Sequence, residues 1–205
     1  MRDPVEKKSV AFFEAQFQRQ AQQNEHTLNP FEAAALEHLR GTVLDLGAGL
    51  GNLSLEAGRR GHRVVAVDAS PTAVARIQAD ARREGLPVQA IQADLESWSI
   101  DPDYDTIVAI GLLMFFPRKT AHRLLREIKE HVRPGGRAIV NVLIEGTTYL
   151  EMFDPNAYHL FGRRELEDHF AGWTLLSSQH HTFPAPDQKL KEFSTVIAQK
   201  PEQTP

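Results

Sequence analysis

The segment Val43-Leu44-Asp45-Leu46-Gly47-Ala48-Gly49-Leu50-Gly51-Asn52 restricts the folds open to this chain more than any other stretch. A short apolar run passes directly into three glycines at alternate positions and then into a helix-length segment. Glycine is needed where backbone turns sharply or approaches a ligand closely, and the free N–H groups at a helix start favour an anionic group such as a carboxylate. Strand, glycine turn and helix in that order open a βαβ unit, and the following sequence repeats the alternation. Thr42–Leu46 and Arg63–Val67 read as strands on either side of a helix running from near Gly51 to near Gly61. Ser70 caps and Pro71 opens a helix to about Glu84, Gly85 stops it, and Val88–Gln92 supplies a third strand. Asp105–Ile110 is a fourth. Pro117–Val132 carries Leu124, Leu125, Ile128 and Val132 on one helical stripe, and Pro134-Gly135-Gly136 turns the chain into a fifth strand, Arg137–Leu143. Trp173–Phe183 and Glu192–Gln199 are joined by Pro184-Ala185-Pro186-Asp187 without a helix, which predicts a hairpin with its final strand antiparallel. The expected fold class is α/β: a doubly wound, seven-stranded, mostly parallel sheet with helices on both faces.

Ahead of this unit, Asn29 and Pro30 start a helix that carries Phe31, Ala34, Ala35, Leu36 and Leu39 towards a core and stops at Gly41. The expected organisation is an N-terminal helical cap over residues 1–40, a ligand-binding domain over 41–200 and a tail at 201–205. At 205 residues, with no repeat and no Gly/Ser linker, one core suffices. A net charge of −4 without a lysine or arginine block weighs against nucleic-acid partners. The absence of cysteine excludes disulfides, thiolate zinc sites and cysteine nucleophiles. The nine histidines show no i, i+4 pair with a third ligand, so no metal is expected. No run of about 18 apolar residues occurs, and the first residues lack a signal-like apolar core, which predicts a cytoplasmic protein without a membrane partner.

In a sheet of this kind ligands bind beyond the carboxyl ends of the strands, near the point where strand order reverses. Asp68 ends the second strand 21 residues after Gly47, where a carboxylate can accept both hydroxyls of a ribose. It also fits a helix-terminal charge beside the Ser70 cap. Asp94, after the third strand, is placed to accept from an adenine amino group. The glycines run GxGxG, with Asn52 in the slot where a dinucleotide-binding G-x-G-x-x-G loop has its third glycine. Asp45 would repel a pyrophosphate but suits an ammonium, directly or by steadying the loop. At these residues the chain resembles the class I S-adenosylmethionine-dependent methyltransferases. The Leu44–Gly51 motif, Asp68, Asp94, the Tyr104-Asp105 strand start, the Arg133-Pro134-Gly135-Gly136 turn and the closing hairpin match in order over roughly residues 40 to 200. The resemblance implies S-adenosylmethionine as cofactor and S-adenosylhomocysteine as product. It implies that Gly47, Ala48 and Gly49 contact the methionine portion, Asp68 the ribose, Asp94 and Leu95 the adenine, and that Ile110 lies beside the sulfonium. Asp45, Asn52 and Ala69 complete the expected cofactor-binding set.

After the fourth strand, Gly111-Leu112-Leu113-Met114-Phe115-Phe116-Pro117 lacks the Asn/Asp-Pro-Pro-aromatic motif of enzymes that methylate exocyclic amino groups of bases. It fits either an apolar acceptor pocket or plain core packing. Leu113-Met114-Phe115, Arg164-Glu165-Leu166 with Gly172-Trp173, and His180 to Lys200 resemble the tellurite-resistance branch, which methylates tellurite, selenite or related soft chalcogen species. That resemblance makes His180 the candidate catalytic residue, as base or acceptor-orienting group. The alternative for His180 is a half-exposed position on a terminal strand. His181 and Gln188 stand where the branch carries arginines. Phe12, Phe13 and Phe17, with Gln16 and Arg19, fit a helix covering the cofactor or one packed on the sheet edge. The expected activity is methyl transfer to a small-molecule acceptor, a soft chalcogen species or thiol, by a monomer or homodimer. The alternatives are O- or N-methylation of a small metabolite, a nicotinamide oxidoreductase on the same fold, and a non-catalytic cofactor-binding regulatory subunit.

Overall fold

The computed structural model describes residues 8–23 and 27–202. Those parts of the expected cap and tail that fall on residues 1–7, 24–26 and 203–205 lie outside the described residues. The strands are β1 (Thr42–Leu46), β2 (Arg63–Asp68), β3 (Val88–Gln92), β4 (Tyr104–Ile110), β5 (Val132–Leu143), β6 (Thr174–Pro184) and β7 (Leu190–Gln199). They form one sheet in the order β3-β2-β1-β4-β5-β7-β6. The first five are parallel, and β7 runs antiparallel to both β5 and β6. The chain proceeds from β1 outward to β2 and β3, then returns to pair β4 on the other side of β1. The carboxyl ends of β1 and β4 are therefore the point where strand order reverses.

The helices are α1 (Lys8–Gln23), α2 (Pro30–Leu36), α3 (Asn52–Arg59), α4 (Pro71–Glu84), α5 (Arg118–His131) and α6 (Glu165–His169). Local chemistry explains their ends. The Asn29 side chain accepts from the N–H groups of Phe31 and Glu32 at 2.9 Å each, and the Glu32 carboxylate accepts from Asn29 N–H at 2.8 Å, a reciprocal cap. Ser70 accepts from Ala73 N–H at 3.0 Å to start α4, and Gly85 ends it with φ of 65°. α2 stops at Leu36, ahead of the expected Gly41.

Apolar residues of the sheet are covered on two sides. On one, α5, α6 and the connection from β5 to α6 enclose Phe153, Phe161, Phe170, Leu124, Leu125 and Ile128, all buried. On the other, α2, the turn that follows it and α3 bring Leu36, Leu39 and Leu53 against Val43, Val108, Ile139 and Ile197. Each fully buried side chain of this size contributes about 1.5–3 kcal/mol. Two elements differ from expectation. β5 begins at Val132 and not at Arg137, because Pro134-Gly135-Gly136 stays in the strand as an irregular stretch between the Tyr104–Val132 and Thr106–Arg137 pairs. The short helix α6 has no strong period in the sequence; it forms where Phe170 and Leu166 can be buried. No helix among the described residues is long and apolar enough to cross a membrane.

Candidate functional site

The loop after β1 is built from positive-φ glycines: Gly47 at 67°, Gly49 at 54° and Gly51 at 78°. Gly47 and Ala48 donate to Val67 O at 2.8 and 3.1 Å, Gly49 donates to Asp68 Oδ2 at 2.8 Å, and Gly51 donates to Ala48 O at 2.9 Å. The amides of Gly47, Ala48, Gly49 and Gly51 are thus engaged internally. The first turn of α3, which has no side-chain cap, supplies anion-favouring N–H groups. Asp68 organises the crossing, since its other oxygen accepts from Ser70 N–H at 2.9 Å.

Above the ends of β1 and β4 this loop borders a cavity of about 480 Å³, within the ~300–1,000 Å³ usual for small-molecule clefts. Nine of the expected residues line it: Gly47, Ala48, Gly49, Asn52, Asp68, Ala69, Asp94, Leu95 and Ile110. The structure brings them together at the carboxyl ends of four strands, β1 to β4. Two other expected residues are placed elsewhere. Asp45 is buried beneath the loop, accepting from Ser54 Oγ at 2.6 Å, and does not line the cavity. His180 faces the α6 side, with Nε2 2.8 Å from Arg163 O, and is not among the lining residues. Its neighbour His181 faces the opposite side of β6, against Phe31 and Phe183.

The roof is formed by α1. Phe13 and Phe17 line the cavity with Gln16, and Phe13 meets Phe115 edge-on at 5.0 Å between centroids. Phe12 points outward, 37% exposed, so only part of the aromatic stripe serves the cavity. Glu14 fastens α1 to α4 by accepting from the hydroxyls of Ser70 and Thr72. Thr27, Asn29 and Glu32 close the side. Sequence reasoning missed Glu32 as a lining residue, although Asn29-x-x-Glu32 is a legible capping box. Leu112, Phe115 and Phe116 supply an apolar wall.

The described lining includes the carboxylates of Glu32, Asp68 and Asp94 and no lysine or arginine. Burial raises Asp68, against the lowering by its backbone N–H partners, and burial raises Glu32. Asn52 donates to Thr27 O at 3.2 Å, while its buried Oδ1 has no partner. Asp45 is pushed up to about 7, by burial first, with Glu32 and Asp68 adding to the rise and the Ser54 hydroxyl opposing it. From about pH 4 to about pH 7 the folded chain keeps a proton that the unfolded chain has lost, so this group's contribution falls as pH rises through that window. Asp45→Asn retains an acceptor for Ser54, and thermal melts at pH 5 and pH 8 are expected to show it stabilising the ligand-free protein about two to three times as much at pH 8 as at pH 5. The whole difference is on the order of 4 kcal/mol, and each kcal/mol recovered raises Tm by about 2–4 °C. An equal effect at both pH values would remove the buried charge as the cause.

Comparison with known proteins agrees with this geometry. Residues 43–136 match the family described as a methyltransferase domain. The chain is 31% identical over 165 residues to hemagglutinin 1 of Eikenella corrodens, covering 78% of this chain and 54% of that one. It is 26% identical over 165 residues to the probable S-adenosyl-L-methionine-dependent methyltransferase TehB of Haemophilus influenzae, covering 77% and 57%. It thus spans little more than half the length of these relatives. The crystal structure of Haemophilus influenzae TehB superposes with a TM-score of 0.74 at 21% identity, covering 94% of this chain and 67% of that one. The Burkholderia thailandensis 1,6-didemethyltoxoflavin-N1-methyltransferase, solved with bound 1,6-didemethyltoxoflavin and S-adenosylhomocysteine, superposes with a TM-score of 0.68 at 24% identity, covering 98% and 94%.

Proposed function

We propose that this chain, whose residues 43–136 match the methyltransferase-domain family, is a methyltransferase of the class I type that binds S-adenosylmethionine above β1 and β4 and methylates a small acceptor. The observation that carries the reading is the cavity's charge. Three carboxylates, with no lysine or arginine among the described lining residues, under a loop whose glycine amides are already engaged, favour a ligand bearing a sulfonium and an ammonium. They oppose the pyrophosphate of a nicotinamide dinucleotide. The residues present fit the cofactor in detail: Asp68 offers lone pairs to ribose hydroxyls, Asp94 with Leu95 borders the adenine end, and the orphaned Asn52 Oδ1 awaits a donor. The uncapped start of α3 can take the methionine carboxylate.

When bound, the cofactor supplies an electrophilic methyl group, which passes to an acceptor lone pair as its carbon–sulfur bond breaks. The protein's share is to hold the partners in line and exclude water. Leu112, Phe115 and Phe116 with Phe13 form the wall against which an acceptor would lie. Within this reading the favoured acceptor is a soft chalcogen species or thiol, supported by the likeness to TehB. Such a nucleophile can pass its proton to solvent as it is methylated and so requires no base from the protein, consistent with His180 lying outside the cavity lining. The absence of a cationic side chain from the described lining favours a neutral thiol-like form over a free oxyanion. It equally suits a small amine, which makes N-methylation the second reading.

Calorimetry tests the cofactor: micromolar binding of S-adenosylmethionine and S-adenosylhomocysteine and none of NADH is expected, whereas NADH binding alone would overturn the reading. Release of S-adenosylhomocysteine with thiols, selenite, tellurite and small amines then identifies the acceptor. Cofactor binding without turnover across the whole screen would favour a regulatory subunit. A Phe17→Ala substitution tests the roof. The Phe17 ring lies so close to the loop that a Cβ on Gly49 would approach it to 3.3 Å. Losing this cover, worth about 1–1.5 kcal/mol, should speed cofactor dissociation about tenfold in stopped-flow measurements and shift Tm by less than about 4 °C. Unchanged dissociation would show that α1 does not cover the bound cofactor.

A further inference from the structure

His122 on α5, His159 in the connection from β5 to α6, and Glu165 at the start of α6 come together outside the cofactor cavity. Each offers one donor atom, and the three atoms lie within 4.8 Å of one another. Glu165 Oε1 is 2.7 Å from His122 Nε2 and 3.1 Å from His159 Nε2. We infer that His122, His159 and Glu165 form a binding site for one zinc-type divalent cation, with water as the fourth ligand.

Four features support this assignment. Two imidazoles and a carboxylate are a donor set that suits zinc, with bonds of about 2.0–2.2 Å. Tetrahedral bonds of that length hold donors roughly 3.4 Å apart, so relative to Oε1 the two nitrogens would move outward by a fraction of an ångström, and relative to each other they already lie within 4.8 Å. His122 Nε2 is buried and without a hydrogen-bond partner despite its short approach to Oε1. That combination is natural for a ligand atom and costly for an imidazole N–H. The group is also pre-set by its surroundings. Gly162 N–H donates to Glu165 Oε2 at 2.7 Å, which leaves Oε1 for the cluster. Phe161 packs against both imidazoles, and His159 N–H donates to Met114 O at 3.0 Å.

The placement gives the ion a structural consequence. It would tie α5, α6 and the intervening connection together directly behind the 3₁₀ turn Leu113–Phe115, whose last residue lines the cofactor cavity. The site stands whether or not the cofactor assignment does, because it shares no residue with the cavity.

The test uses the full chain freed of metal with a chelator. Calorimetric titration with Zn²⁺ is expected to show one equivalent bound with micromolar or tighter affinity, and Co²⁺ is expected to give the visible absorption of a tetrahedral site. His159→Ala and Glu165→Gln, each checked for folding by circular dichroism, should weaken Zn²⁺ binding at least 30-fold and abolish the cobalt band. S-adenosylhomocysteine binding by the same variants should match the wild type. The absence of stoichiometric Zn²⁺ binding by the wild type would overturn the inference. So would binding that survives in the variants, which would assign it to others among the nine histidines. If a variant fails to fold, the wild-type cobalt spectrum decides alone: no tetrahedral band, no site.

Discussion

Asp68→Ala is expected to weaken S-adenosylmethionine binding by about 10²- to 10⁴-fold, the largest effect of any single change at the cavity. Two hydrogen bonds from ribose hydroxyls to a carboxylate are worth about 1.5–3 kcal/mol each. The same side chain receives Gly49 N–H at 2.8 Å and Ser70 N–H at 2.9 Å, so its removal also frees the glycine loop from the end of β2. Asp68→Asn keeps the shape without the charge and should fall between wild type and alanine. Calorimetry with the cofactor and its product reads both variants. An alanine variant within threefold of wild type would show that Asp68 serves the loop and no ligand.

Gly51→Ala should be the most destabilising of the conservative glycine changes. At φ of 78°, an added Cβ would stand 2.4 Å from Cγ1 of Ile77, which is fully buried. The left-handed backbone costs about 1–2 kcal/mol with a side chain, and forcing a packed core apart adds about 1–3 kcal/mol. Together these predict a fall in Tm of roughly 5–15 °C. Gly85→Ala is the control, because its φ is also positive, at 65°, but a Cβ there meets nothing within 4 Å. Backbone strain alone should lower its Tm by only about 2–8 °C. Equal melting of the two variants would mean that α4 yields freely and that the contact between loop and helix contributes little.

Much of this architecture was legible because a few residues carry local instructions. Ser70-Pro71 starts a helix and Gly85 stops one wherever they occur, and the alternation of apolar runs with helical stripes specifies a parallel sheet. The spacing of Asp68 from Gly47 identified the cavity because both sit at ends of adjacent strands, where chain distance maps directly onto space. The limits have equally specific causes. Asp45 follows the strand period, which turns it beneath the loop towards Ser54 instead of into the cavity. His180 and His181 occupy consecutive positions on β6, and strand periodicity places them on opposite faces without saying which face the cavity shares. Glu32 enters the lining from a helix that precedes the sheet, and no spacing rule ties it to the glycine loop. The His122–His159–Glu165 cluster was invisible for a similar reason: its members come from a helix, an irregular connection and a second helix. Their meeting depends on how the connection folds back over Phe161, not on intervals along the chain.

The place of β7 has a bearing on how the molecule is made. It is the last strand in sequence, yet it fills an interior slot, bonded to β5 on one side and β6 on the other. Until β7 has paired, β5 therefore presents an open row of N–H and C=O groups along seven residues, Arg137 to Leu143. A nascent chain halted before β7 would carry a sticky apolar edge of the kind that pairs with neighbouring chains.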